Sequence, residues 1–585
     1  MNHPTTFFGS VLRVAVGVLA CALLAGCVQM PTSGPVVEPP VSSGAGTPAP
    51  GIFFNPRPPQ VGETPDEIVT GFLEAMKATP IRTTVARQFL TREAADGWAP
   101  EQQILTYAEL GSAVGQMSVQ VPLNDVNRYD SRGAWEGTEG RVELDLGLVQ
   151  QDGEWRIDEV PDALIVPASW FDDWYQRVSL YYFDPTSEVL VPEPVHVPRG
   201  DQFASSLVRG LLAPVPTDDQ DVVRTFFPPG TTQGLMPVQS GIAQVSLSGD
   251  PDAIDTEIGN RMLVQLAWTL RQDPDVKAVE LTIGDRLISY QGGSTQVNLG
   301  VGADYDPNGV RSDTDLFALD DGRVVTGTLG ALGPTVGPLG EDGYDVRSIG
   351  VSIDGSRVAA VTGDGTGAYV ASTEAPDGEV LQPVVGAVDL APPRWDYRGR
   401  VWLLDRGAGS ARVILVEDDT ARVVEVPGLS GRRVSRLLVS RDGTRMVAVV
   451  RGPRADRVVA GRIRHAVDGQ VIGFTSFRRL PLAIEGTGRI RDIGWRSPTA
   501  VSVLRDISDG SSEVRTTSVD GAPGEIATAG ATRIRGTSRA LVASPVDSRV
   551  SDTYALTGRE VTNLTRPERV VPDLPEGLTS LTYVG

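Results

Sequence analysis

Few side chains in this sequence stand at spacings that do chemistry. The sharpest pattern is Asp304-Tyr305-Asp306-Pro307-Asn308-Gly309, with Asp315 in the twelfth position. That is the ligand spacing of a calcium loop, in which side-chain and carbonyl oxygens at alternate positions wrap a hard cation. Pro307 interrupts it, Arg311 falls where such loops carry an apolar residue, and the last ligand is Asp instead of Glu. A polar connection built from Asx and Pro-Asn-Gly turns explains the same residues. Calcium binding by Asp304, Asp306 and Asn308 therefore stays open, and no metal ligand is assigned. A Ser-His-Asp arrangement needs only one histidine, and beyond His3 the chain has His196 and His465. No Gly-x-Ser-x-Gly elbow accompanies either, so no nucleophile is assigned. The acidic pairs Asp172-Asp173 and Asp218-Asp219 have the residue types of glycosidase carboxylates, but adjacent surface acids are far commoner. Gly363-Asp364-Gly365-Thr366-Gly367 has no following helix and no Lys-Ser/Thr, so it reads as a hairpin turn and not a phosphate cradle. The expectation is a protein with no catalytic residues, no cofactor and no enzymatic activity.

What must position any binding surface is a large, mostly β chain. Its 585 residues exceed one hydrophobic core, and 65 Gly with 43 Pro favour strands and turns over long helices. The formal charge of −22 disfavours a nucleic-acid partner. The only cysteines are Cys21 and Cys27, which leaves the rest of the chain without an internal disulfide or thiolate metal site. Val14 to Ala25 is continuously apolar or small, the length of a signal h-region and too short to span a bilayer. It ends in Leu24-Ala25-Gly26-Cys27, which resembles the lipobox of bacterial lipoproteins. Cys21 fits that pattern less well, because Leu19 stands two before it. The resemblance implies cleavage between Gly26 and Cys27, an N-palmitoyl and S-diacylglycerol group on Cys27, and a lipid anchor on the extracytoplasmic face of the cell membrane. Each buried methylene contributes ~0.8 kcal/mol, so more than one acyl chain is needed for stable anchoring.

The chain divides into residues 1–26 as leader, 27–60 as lipidated cysteine and Pro-rich tether, 61–168 as an α+β domain, 169–300 as a second α+β domain, 301–312 as linker, and 313–585 as a β-propeller. In the first domain, Thr64-Pro65-Asp66-Glu67 starts a helix, with Ile68, Phe72 and Met76 on one face. A second helix is expected over Val85 to Ala95. Alternation in Arg141-Val142-Glu143-Leu144-Asp145-Leu146 and an Asp152-Gly153 turn predict an antiparallel sheet. The ending Asp152 to Ile157 resembles the last strands of NTF2-like and cystatin-like domains. In the second, helices are expected over Asp201 to Leu212 and through Ile258, Met262, Leu266 and Leu270. Strands are expected at Val178 to Phe183, Ile242 to Ser248, Val279 to Ile283, and at Thr225 to Phe227 before the Pro228-Pro229-Gly230 turn. The run Leu207-Val208-Arg209-Gly210-Leu211-Leu212, the Phe-Phe-Pro-Pro-Gly turn and Gln265-Leu266-Ala267-Trp268 resemble a GerMN domain. In the third, Val351 to Val358 is echoed by Val439 to Met446, with Gly399 midway between Gly355 and Gly443, and Trp395 to Val401 matches Trp495 to Val501. A unit of ~40–45 residues with an Asp-Gly turn is the length of a propeller blade and gives around six blades. The closing run Leu578 to Val584 is expected to pair back into the first blade.

The order of lipobox, α+β domain, GerMN domain and propeller resembles the actinobacterial lipoprotein LpqB family over essentially the whole mature chain. That resemblance implies a partner, the extracytoplasmic part of the membrane histidine kinase MtrB, and a role in tuning the MtrAB two-component system in cell division and envelope growth. The alternative is a protein that binds or processes an envelope glycan or lipid.

Overall fold

The computed structural model describes residues 53–585, except 310, 483–488, 508–509, 525–530 and 547–549. The leader, Gly26, Cys27 and most of the tether lie outside the described residues. Among the described residues no helix is long and apolar enough to cross a membrane.

In the first domain the helix Pro65–Ala75 begins where the proline and two acids suit its first turn. The Glu67 carboxylate accepts from the Thr64 amide at 2.8 Å, and Ile68, Phe72 and Met76 are buried. The expected second helix is interrupted. It forms a short 3₁₀ turn, Ala86–Phe89, and then a helix Arg92–Gly97, because Leu90 is extended and bridges Ile157. Thr91 restarts the helix, its hydroxyl accepting from the Ala94 amide. The sheet runs in the order Glu154–Glu159, Trp135–Gln151, Ser118–Tyr129, Ile104–Tyr107, Leu164–Pro167, antiparallel except for its last pair. The core this sheet covers continues through Phe171 and Tyr175.

The second domain opens with the antiparallel pair Tyr175–Phe183 and Leu190–Pro198. Helix Thr256–Leu270, capped by Asp255 on the Ile258 amide at 2.8 Å, carries the chain between the parallel strands Ile242–Leu247 and Ala278–Ile283. Helix Phe203–Leu212 packs beside it in the same core. Thr225 to Phe227 is not a strand: a single bridge joins Arg224 to Phe183, and the Phe226 amide donates instead to the Gln265 side chain at 2.9 Å.

The third domain is a ring of six blades. Four strands make each of the first five, the fourth blade carrying an extra short strand, and three make the sixth among the described residues. The C-terminal strand Leu578–Thr582 pairs antiparallel with Leu316–Asp320, so the first blade is completed by the chain's end and no sheet edge stays open there. The repeated tryptophans do the same work in two blades. Trp395 Nε1 donates to the Gly350 carbonyl at 2.9 Å and Trp495 Nε1 to the Val439 carbonyl at 3.0 Å, each tying its innermost strand to that of the preceding blade. Gly363 to Gly367 is a hairpin between the strands Arg357–Thr362 and Ala368–Ser372.

Candidate functional site

The second domain is fastened to one face of the propeller, where the turns between first and second strands and between third and fourth strands of each blade emerge. Glu193, on the strand Leu190–Pro198, receives Arg445 at 2.9 Å and Arg462 at 2.5 Å from the fourth blade. Burial alone opposes ionisation of Glu193, but the two guanidiniums outweigh it and bring its pKa down to about 2. Arg445 also donates to the Pro192 carbonyl. Further along the same face, Tyr397 donates to Asp184 at 2.7 Å, Arg398 pairs with Glu188 at 2.6 Å, and the His465 amide donates to the Asp221 carbonyl at 2.8 Å. The first domain joins through Gly133, whose positive φ and closeness to His196 leave no room for a Cβ, which would stand 2.0 Å from the His196 carbonyl oxygen. Arg478 reaches the Glu136 carbonyl from the propeller.

Between the second domain, the linker and the propeller lies a cleft of about 790 Å³. Arg261 stands on its wall in an aromatic surround, its guanidinium carbon 4.6 Å from the Tyr305 ring centre, 5.0 Å from Phe183 and 5.9 Å from Phe226. Arg357, Trp395, Tyr397, Tyr290, Asp304, Asp306, Asp354 and Asp396 complete a lining of mixed charge. Most of these charges are paired within the protein. Arg357 meets Asp419, Asp304 meets Arg311, and Asp396 holds the buried Arg400 at 2.7 Å. Asp354 accepts from the hydroxyls of Ser352 and Ser356, which keeps its carboxyl below the usual range although burial pushes the other way. No histidine, cysteine or lysine is among the described residues lining the cleft. The lining suits a polar ligand recognised by hydrogen bonds and aromatic faces.

The residues singled out in the sequence fall apart in space. Asp304 turns to Arg311, Asp306 accepts from the Asn308 amide at 2.9 Å, and Asp315 donates its amide to Asp313 at 2.8 Å. The loop is a set of Asx turns, and among the described residues no three His, Cys, Asp or Glu side chains are placed to hold a metal ion. His196 is buried against Tyr129 and Phe171, and burial, then Arg177, lowers its pKa to about 4. His465 is locked between the carbonyls of Gly443 and Gly469. Asp172, Asp173 and Asp218 are exposed. Sequence reading gave no role to Glu193 or Arg261 and saw Arg445 and Tyr397 only as members of the blade repeats, because the partners that join Glu193, Arg445 and Tyr397 across the interface stand far away in the chain.

The opposite face of the propeller is formed by the connections from the last strand of one blade to the first of the next. Val336, Val385 and Val388 stand exposed on these connections, Val385 at 72%.

Comparison with known proteins follows the same three divisions. Residues 58–172 match the family model described as lipoprotein LpqB, N-terminal domain. Residues 179–288 match the Germane model, described as sporulation and spore germination, and residues 322–565 the lipoprotein LpqB beta-propeller domain. Lipoprotein LpqB of Thermobifida fusca is 29% identical, over 89% of this chain and 92% of that protein. Lipoprotein LpqB of Streptomyces coelicolor is 28% identical, over 88% and 89%. Among solved structures, the first GerMN domain of the sporulation protein GerM from Bacillus subtilis is 22% identical, covering 21% of this chain and 94% of its own, with a TM-score of 0.17. A nidogen/laminin complex chain is 11% identical, covering 46% and 97%, with a TM-score of 0.34. With both LpqB domain models and the Germane model matched in order, and full-length relatives aligned along most of their length, the chain belongs to the lipoprotein LpqB family.

Proposed function

We propose that this lipoprotein is held by lipid on Cys27 at the extracytoplasmic face of the cell membrane, where it binds the sensor kinase MtrB and modulates the MtrAB two-component system without catalysing a reaction. The observation that supports this reading best is the propeller's two unequal faces. One is occupied by the second domain through Glu193, Arg445, Arg462 and Tyr397. The other carries three exposed valines, Val336, Val385 and Val388, on its inter-blade connections, the apolar surface a protein partner would bury. Confinement to one membrane raises the effective concentration of both proteins, so a modest interface suffices if the tether spans the gap. A soluble form lacking Cys27 should bind the kinase ectodomain in calorimetry yet complement a deletion poorly, and deletion should change kinase output. No contact in calorimetry or crosslinking, with kinase output unchanged, overturns the proposal. The second reading, an envelope glycan or lipid bound in the cleft, is favoured by the aromatic and acidic lining around Arg261, and saturable glycan binding lost in Arg261→Ala would support it.

A further inference from the structure

Along the propeller axis the innermost strands of neighbouring blades face one another, and three of them share one irregularity. A register shift falls between Val346 and Ser348, between Val434 and Arg436, and between Ile490 and Asp492. Ser348, Arg436 and Asp492 are therefore structurally equivalent positions in the second, fourth and fifth blades. Each lies near the start of its strand, which is the end facing away from the second domain. Between them, in the third blade, the short strand Arg394–Trp395 contributes Arg394.

The charges in this ring do not balance. Asp492 is the carboxylate that acts on both arginines, and both of its oxygens are engaged, one by Arg436 Nε at 2.9 Å and the other by the Leu541 amide at 2.9 Å. Arg394 has no hydrogen-bond or ion-pair partner among the described residues, and its Nε is wholly buried. The charges that act on it are Asp492 and the like-charged Arg436, and burial disfavours its protonated form. Ser348 is buried with its hydroxyl unpartnered. Two half-buried arginines thus share one acid whose oxygens are both engaged, which leaves guanidinium donors available to an anion.

The other end of the axis is closed. Arg441, from the fourth blade, donates to Ser312 of the linker at 2.6 Å and to the Val584 carbonyl beside the first blade at 2.8 Å. In a ring of six, the first and fourth blades stand opposite, so this side chain crosses the axis. Approach to Arg394 is therefore from the face away from the second domain.

We propose that the axial channel of the propeller is a binding site for a small phosphate-type oxyanion, held by Arg394 and Arg436 with the Ser348 hydroxyl. Guanidinium groups match phosphate oxygens with charge-assisted hydrogen bonds, and a neutral hydroxyl can donate a further one without adding charge. The inference does not depend on the kinase proposal, since it concerns an ion inside the propeller.

The test uses the whole soluble chain lacking Cys27, titrated with inorganic phosphate against chloride at matched ionic strength and followed by thermal unfolding and calorimetry. A saturable rise in Tm with phosphate is expected. Arg394→Met should weaken binding at least tenfold while unfolding no earlier than the parent in phosphate-free buffer, because it removes an unpartnered charge. Ser348→Val should weaken binding several-fold in a protein that is otherwise unchanged. Repeating the titration with glycerol 3-phosphate separates sources: tighter binding than phosphate points to a lipid headgroup, equal or weaker binding to the free ion, and both uphold the site. No saturable response to either anion, a response that survives Arg394→Met, or loss of stability in that variant without phosphate would each overturn it.

Discussion

Glu193 is the residue on which the docking of the second domain most depends. Replacing it by Gln leaves Arg445 and Arg462 buried without their acid, and removing one partner of a buried pair costs roughly 3–5 kcal/mol. The expected result for Glu193→Gln is a separate, earlier unfolding transition in calorimetry, with raised protease sensitivity in residues 301–312. The same group predicts a pH dependence. Its folded pKa of about 2 lies below the ordinary 4.5, so its stabilisation is complete above pH 4.5 and is lost as pH falls toward 2. His196 acts at higher pH. Held near 4 against an ordinary 6.5, it is stabilising as the neutral ring above pH 6.5, and that contribution is lost between 6.5 and 4. Stability measured by denaturant should therefore fall in two limbs on acidification. The upper limb should vanish in His196→Phe and the lower in Glu193→Gln; a single limb unaffected by both changes would contradict the assignment.

At the scale of elements, ring closure by Leu578–Thr582 is the feature with the largest consequence. Removing residues 578–585 exposes the edge of Leu316–Asp320 and strips the Val584 carbonyl from Arg441. Such a chain should lose its cooperative thermal transition and self-associate in size-exclusion chromatography. Inside the ring, Trp395→Phe keeps most of the apolar volume but leaves the Gly350 carbonyl unpaired, a loss of about 1–3 kcal/mol readable by denaturant titration. The closing strand and the Trp395/Trp495 register were legible because a repeated unit writes the same packing demand twice. The break at Leu90 was not, because it answers to Ile157, a strand far along the chain, and helical periodicity carries no trace of such a bridge. Thr225 to Phe227 misled for a similar reason: aromatic residues before a Pro-Pro-Gly turn favour a strand locally, but the Phe226 amide finds its acceptor on Gln265 of a helix.

For the whole molecule, function is expected to reside in a face and not in a residue. Val385→Asp with Val388→Asp places two charges on the uncovered propeller face without touching a core. The double variant should fold with an unchanged Tm and weaken capture of the kinase ectodomain by tenfold or more in calorimetry. Unchanged affinity in a folded double variant would move the interface elsewhere. Anchoring is tested separately: Cys27→Ala should shift the protein out of the detergent phase and alter its mature mass.

Local composition and periodicity sufficed for the order of the folded parts, two α+β domains followed by a β-rich repeat, because hydrophobic period, turn chemistry and repeat length are short-range properties. Folding sends Asp304 to Arg311 and uses Asp306 and Asp313 to cap turns, which spacing alone does not give. Which face of the propeller is covered, and that Asp492 is occupied by both Arg436 and the Leu541 amide, are likewise decisions of tertiary structure. Both depend on pairs brought together by ring closure and domain docking, and no spacing along the chain encodes the distance between groups that only meet when the ring is shut.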